Sequence, residues 1–220
     1  MDKILNDIEL RVLGCLVEKS ITTPDYYPLT LNALVTACNQ KSNREPVVSF
    51  DDEVVVRGLD SLQALGLTEK LYKADSRVPK YGHFFEKSFE FKAAEVAVMC
   101  VLILRGPQTA GEIRGRTERL YRFLDLEEVE DTLNRLISRE SPMVIRLPRQ
   151  AGRKEQRCMH LLAGEPDMEA LQRELPEEAA AVRVRAENER ISVLENELAM
   201  LRGELNQLKA EFIELRKEFE

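Results

Sequence analysis

The sequence holds only two histidines, His83 and His160, and no two cysteines in a C-x-x-C pair. A structural zinc site takes about four such ligands, so no metal is expected and no cofactor is assigned. The four cysteines are Cys15, Cys38, Cys100 and Cys158. The first three sit in apolar helical stretches, where a cysteine behaves as a small hydrophobe, and this usage fits a reducing cytoplasm. No apolar run approaches the ~20 residues that span a bilayer, and the opening MDKILNDIEL lacks a signal-peptide pattern. No membrane partner is expected. Positive charge is not in excess either. The net charge is −7, so no global field draws the chain to nucleic acid, although a local basic surface is not excluded. There is no Ser-His-Asp order, glycine-rich phosphate cradle or arguable carboxylate pair. The chain is therefore read as a binding protein and not an enzyme.

What is present is periodic apolar sequence in a chain that is 32% charged, a balance that suits long exposed helices. At 220 residues there is room for two small domains and an extension. Residues 4 to 19 read as a first helix, with Leu5, Ile8, Val12, Leu13 and Leu16 on its apolar side. The most distinctive stretch is Thr22 to Val48. Thr30 suits a helix N-cap, and Pro28 keeps Tyr27 extended before it. Leu31, Leu34, Val35 and Cys38 then form one buried stripe. The polar run from Lys41 to Glu45 follows and stops at Pro46.

A third helix begins near Ser49 to Glu53, capped by Ser49 or Asp51. It buries Val55, Leu59 and Leu62 and ends at Gly66. Two strand-like runs, Leu67 to Lys73 and Lys80 to Phe89, form a hairpin. Three helices and a hairpin is the order of a winged helix-turn-helix.

The order then repeats. Glu95 to Leu104 is a very apolar helix. Thr109 and Glu112 read as a capping box for a helix running on through Ile113 and Leu120. Asp125 to Arg139 is a third helix with Leu126, Val129, Leu133 and Leu136 inward, and Met143 to Leu147 pairs with Arg157 to Leu162. His83 and His160 fall at matching places in the two hairpins and read as structural hydrogen bonders. The fold expected is mainly α with small β wings. It comprises tandem winged helix-turn-helix domains over 1–88 and 89–165, a linker over 166–181 and a C-terminal coiled-coil helix over 182–220.

TTPDYYPLTLNALVTACNQKSNREPV, LRGPQTAGEIRGRTERLYRF and LPRQAGRKEQRCMHLLAGE closely resemble the YceH-like family of bacterial proteins. The likeness covers roughly residues 5 to 165. It implies a tandem winged-helix fold and carries over no catalytic residue. Gln150-Ala151-Gly152 and Cys158 depart from the family pattern, which often has a proline before the glycine and an aromatic at the cysteine.

Candidate partners follow from charge. Winged helices usually insert the third helix into the major groove. Here those helices open on Asp51, Asp52 and Glu53 and on Asp125, Glu127 and Glu128, which would face phosphates. Capping and the helix dipole account for these acids adequately. The cations lie elsewhere. Arg114, Arg116 and Arg119 follow the second capping box, and Arg149, Arg153 and Lys154 lie in the second hairpin. The first domain adds Lys41, Arg44, Lys73, Arg77 and Lys80. These are candidate contacts to double-stranded DNA, together with Asn39, Gln40 and Asn43, whose amides could read bases. The same cations also read as a solvated face paired with nearby acids, and the amides as a loop held by its own side chains.

From Ile191 the apolar residues recur at alternating steps of three and four: Ile191, Leu194, Leu198, Leu201, Leu205, Leu208, Phe212, Leu215 and Phe219. That is a heptad seam about 43 Å long at 1.5 Å per residue. Arg190, Glu197, Glu204 and Glu211 at one flank would meet Glu195, Arg202, Lys209 and Arg216 of a parallel partner, always with opposite signs. An antiparallel pair would set glutamate against glutamate. A parallel homodimer is expected, with a trimer and a fold-back onto the chain's own domains as alternatives. The leading reading is a cytoplasmic, dimeric DNA-binding protein of regulatory type. The rival is a protein-interaction scaffold whose winged helices touch no DNA.

Overall fold

Asn6 opens the first helix, α1 (Asp7–Thr22), because its side chain accepts from the amides of Ile8 and Glu9 while the Glu9 carboxylate accepts from the Asn6 amide. This reciprocal cap satisfies donors that the helix itself leaves unpaired. It sets the start three residues later than the apolar pattern alone suggested. The computed structural model describes residues 4–72, 78–149 and 155–166. Among these the chain is mainly helical, with seven α-helices and two small antiparallel sheets. No described helix is long and apolar enough to cross a membrane.

After α1 the chain forms β1 (Leu29–Thr30) and α2 (Leu31–Cys38). Thr30 caps α2, as its position suggested, by accepting from the Ala33 amide. Asp51, not Ser49, caps α3 (Asp52–Ala64). Gly66, at φ +69, closes α3. Its amide bonds Gln63 and the Leu67 amide reaches Leu62, the paired bonds of a Schellman cap. Strands β2 (Thr68–Leu71) and β3 (Lys80–His83) then pair antiparallel, and β3 also pairs with β1, giving the order β1-β3-β2.

One expectation fails here for a physical reason. The strand read as Lys80 to Phe89 stops at His83, and Phe85–Phe89 is a short helix, α4. A strand would place Lys87 on one face with Phe85 and Phe89, whereas a helical turn stacks the two phenylalanines alone. They pack with Phe91 at centroid distances of 5.2 to 5.4 Å. The two-residue β1 was not anticipated at all.

The second half repeats the order. Helix α5 (Ala93–Arg105) is followed by an isolated bridge from Gln108 to Cys158, then α6 (Ala110–Arg116), α7 (Leu126–Ile137), β4 (Val144–Arg146) and β5 (Cys158–His160). Gln108 lies on β5 as β1 lies on β3. The Thr109–Glu112 capping box forms as expected. However, α6 stops at Arg116, short of Leu120. The Thr117 hydroxyl bonds back to the Ile113 carbonyl, and the Thr117 carbonyl accepts from both Leu120 and Tyr121 as the chain turns. Val129, Leu133 and Leu136 of α7 are buried as expected, but Leu126 is 42% exposed because it sits in the first turn beyond the Asp125 cap.

The core is continuous across both halves, which cluster as one compact unit, Met1–Pro166. Helices α1 and α5 form its axis. A Cβ built on Gly14 would come within 2.8 Å of Ile103 and Leu104, so only glycine allows this approach without displacing them. The Cys100 thiol also meets the Gly14 carbonyl at 3.8 Å. Two backbone bonds tie the halves further, Glu45 amide to Leu104 carbonyl and Leu5 amide to Leu162 carbonyl, both 2.8 Å. Residues 167–220, with most of the linker and the heptad seam Ile191 to Phe219, lie outside the described residues.

Gly14→Val is expected to overpack the α1–α5 contact and lower stability by about 1–3 kcal/mol. A chemical denaturation midpoint equal to that of the parent would show that the contact is loose.

Candidate nucleic-acid interface

The polar segment after α2 is held from beneath by buried side chains. The Asn39 amide group clips the backbone of Phe50 twice, donating to its carbonyl and accepting from its amide, each at 2.7 Å. Arg44 points inward, and its side chain has no exposed surface. Its guanidinium bonds both Glu18 oxygens, at 2.6 and 3.1 Å. The remaining donors reach the Ala37 carbonyl, the Gln40 side chain and the Asn43 carbonyl. Burial works against the Glu18 charge, but the bonds from Arg44 outweigh it and hold the carboxyl below its usual range. Arg11 supports the same segment by donating to the Pro46 and Cys38 carbonyls. Arg44 is thus a structural residue and not a phosphate ligand. Asn39 and Gln40 are likewise committed to the loop's own architecture. Lys41 and Asn43 remain exposed, with Asn43 accepting from Arg105.

Several second-half cations also have local work. Arg114 donates to the Leu124 carbonyl at 3.1 Å, and Arg116 to the Gln108 side chain while lying 3.7 Å from Glu112. Arg157 bonds Pro107 and Glu112, and Arg146 pairs with Glu130 of α7 at 2.7 Å. Arg119 and Arg149 are exposed, and no ion pair holds either among the described residues. Lys80 is half-buried in β3, opposite Leu71 and Thr30. Lys73, Arg77, Arg153 and Lys154 lie outside the described residues. Asp51 and Asp125 are caps, and Glu128 accepts from Tyr121 and from the Leu124 amide. Asp52, Glu53, Glu127 and Asp131 stay exposed on the third helix of each half.

The fold brings two separate candidate segments together. Between the halves lies a cleft of about 670 Å³, in which Lys41 and Asn43 from the first half face Arg116 and Arg119 from the second. Lys19 and Arg105 join them. The sequence held no signal for Lys19, which reaches the cleft only because α1 lies against α5. Burial, and then the neighbouring Arg116 charge, lower the Arg105 pKa. Five cations thus line the cleft beside two carboxylates, Glu18 and Glu118.

The histidines sit at matching places in the two hairpins, but among the described residues only His83 has side-chain hydrogen bonds. The buried Nδ1 of His160 has no partner among them. His83 and His160 sit opposite Thr68 and Val144, the residues that open β2 and β4. His83 bonds Ser20 at 3.0 Å and accepts from the Phe85 amide. Burial lowers the His160 pKa to about 4, so its imidazole is neutral at pH 7. Among the described residues no group of three His, Cys, Asp or Glu side chains could hold a metal ion. All four cysteines are buried and free.

These features define a mainly helical, two-part protein with small sheets and a basic cleft where its halves meet. Residues 5–153 match the family model described as "Protein of unknown function, DUF480". A UPF0502 protein of Geobacter sulfurreducens is 54% identical over 199 residues, covering 90% of each chain. Another from Solibacter usitatus is 54% identical over 198 residues, covering 90% of this chain and 93% of its own. One from Opitutus terrae is 56% identical over 162 residues, covering 73% and 70%. The chain belongs to this DUF480, or UPF0502, family of bacterial proteins, consistent with its YceH-like motifs.

Arg44→Ala leaves the partly buried Glu18 carboxylate without its partner and is expected to cost about 3–5 kcal/mol of stability. Lys41→Ala, three residues away and exposed, is expected to stay within about 0.5 kcal/mol of the parent. Equal effects in urea denaturation would overturn the structural role given to Arg44.

Proposed function

We propose that each half is a winged helix-turn-helix and that the protein is a cytoplasmic DNA-binding protein of regulatory type. One observation carries this reading: the repeated pairing of a short segment before the second helix with the last strand of its own half. Leu29–Thr30 pairs with β3, and Gln108 with β5. Helix, edge segment, two helices and a hairpin, with that edge segment on the last strand, is the arrangement a winged helix requires. The proposed contacts come from the hairpins and not from the third helices, whose exposed acids oppose phosphate. No catalytic step belongs to this reading.

A second reading has its own support. The exposed acids of α3 and α7 lie on the helices that would otherwise enter DNA, and Leu124 beside α7 is 83% exposed. An acidic surface of this kind suits a protein partner of opposite charge. Nuclease treatment separates the two, since it strips a partner held through nucleic acid and leaves a directly bound protein.

Replacing Arg149, Arg153 and Lys154 together with alanine is expected to weaken binding to genomic fragments at least tenfold at low salt. It should also flatten the salt dependence by roughly two to three in the log–log slope, about 0.9 for each phosphate no longer neutralised. No binding by the parent chain at ~50 mM salt, where phosphate contacts are strongest, would reject the DNA reading.

The heptad seam supports a dimer. We propose a parallel two-stranded homodimer through residues 184–219, resting on the sequence periodicity and the opposite-sign flanking pairs. Light scattering is expected to give twice the chain mass for the full protein and the monomer mass after truncation at Pro176. Monomers in both cases at micromolar concentration would overturn it.

A further inference from the structure

We propose that the cleft between the two halves binds a small phosphorylated molecule with an apolar or aromatic body, held by both halves at once. Its volume, about 670 Å³, falls within the roughly 300–1,000 Å³ of small-molecule sites. A concavity of this kind admits a small ligand, whereas DNA grooves are entered by protruding elements. Such a site is separate from the DNA reading and gives Lys41, Arg116 and Arg119 a different partner.

The charge of the lining sets the class of ligand. Five cations, Lys19, Lys41, Arg105, Arg116 and Arg119, line the cleft with only two carboxylates, Glu18 and Glu118. Glu18 is held by Arg44 at 2.6 Å and pairs with Lys19 at 3.4 Å, and Arg116 lies 3.7 Å from Glu112. Lys41, Arg105 and Arg119 are thus the lining cations outside an ion pair among the described residues. The cations come from α1, the loop after α2, α5 and the end of α6. Like charges brought together from separate segments repel one another; at Arg105 burial lowers the pKa first, Arg116 lowers it further and Glu18 opposes both. A multiply charged anion relieves that repulsion better than a single carboxylate. Guanidinium groups also fork onto phosphate oxygens.

The floor sets the body of the ligand. Cys100, Val101 and Leu104 of α5 line the cleft and are themselves 0 to 3% exposed, with half-buried Leu120 beside them. A flat apolar group can rest against Leu120, with the buried face of α5 behind it, while its phosphate reaches the cationic rim. Ser42 and Thr22 add hydroxyl groups to the wall. A nucleoside phosphate has all three parts: a base, a sugar with hydroxyl groups and an anionic tail.

The test is calorimetric titration of the full chain with ATP, AMP and inorganic pyrophosphate, and with adenosine as the uncharged control. ATP is expected to bind more tightly than AMP, and adenosine not measurably. Lys41→Glu and Arg119→Glu, both at exposed positions outside any ion pair among the described residues, are each expected to weaken ATP at least tenfold. Lys87→Glu, exposed on α4 and outside both the cleft and the hairpins, is expected to leave it unchanged. Absence of binding by all three phosphate probes at millimolar concentration overturns the proposal. So does an equal loss in Lys87→Glu, which would mark attraction to the general surface. Neither result bears on the DNA reading, whose test uses the hairpin residues.

Discussion

The approach of α5 to α1 at Gly14 governs how the rest of the molecule is placed. Where a side chain would begin, Ile103 and Leu104 already stand at 2.8 Å. Interiors are packed to crystal-like density, so such a contact has one solution and does not slide. Because it is fixed, the residues that follow along both helices are fixed too. Glu18, Lys19 and Thr22 on one, and Cys100, Val101, Leu104 and Arg105 on the other, line the same cleft. The Glu45–Leu104 backbone bond then draws the loop after α2 onto the end of α5. One missing methyl group is the origin of the shared core and of the place where polar groups of both halves meet.

The Glu18–Arg44 pair is the second constraint, and it acts on the first. Burying two charges costs several kcal/mol per ion, which close geometry and complete hydrogen bonding only offset. Here the guanidinium bonds two carboxylate oxygens, two carbonyls and an amide oxygen. That leaves little room for net stabilisation and much for specificity. The segment from Asn39 to Pro46 can sit only where all these bonds close, with Arg11 below it and the Asn39–Phe50 clip at its edge. A hydrophobic replacement could match the volume but not hold the loop in this conformation. Lys41 is presented to the cleft because Arg44 is turned away from it.

Local chemistry was legible in the sequence wherever the signal lay within a few residues. Thr30, Asp51, Gly66 and the Thr109–Glu112 box each cap a helix as their chemistry requires. The pairings β2–β3 and β4–β5 were legible as strand-like runs, although the run from Lys80 was carried past His83. Two pieces of sheet were not, because β1 is two residues long and Gln108 is a single bridge, both too short to show a period. Leu126 matched the apolar stripe of α7 yet is exposed, since a first-turn residue meets solvent before the helix reaches the core. Arg44 is the most instructive failure. A lone arginine in a polar run carries no mark of burial. Its partner Glu18 lies 26 positions away, on a helix whose relation to the loop only the fold determines.

Composition misleads about anionic partners for a similar reason. A net charge of −7 describes the field at long range, where salt screens exposed charges within ~8–10 Å. The exposed acids of α3 and α7 contribute to that sum but are not among the groups lining the cleft. Inside a concavity backed by buried apolar residues, charges are screened less and their mutual repulsion is felt more. A ligand there responds to the five cations around it and not to the total for the chain. Acidic residues that cap helices and cations gathered between helices are therefore compatible features of one molecule. The first satisfies backbone donors locally, and the second arises only when distant segments are brought to a common wall.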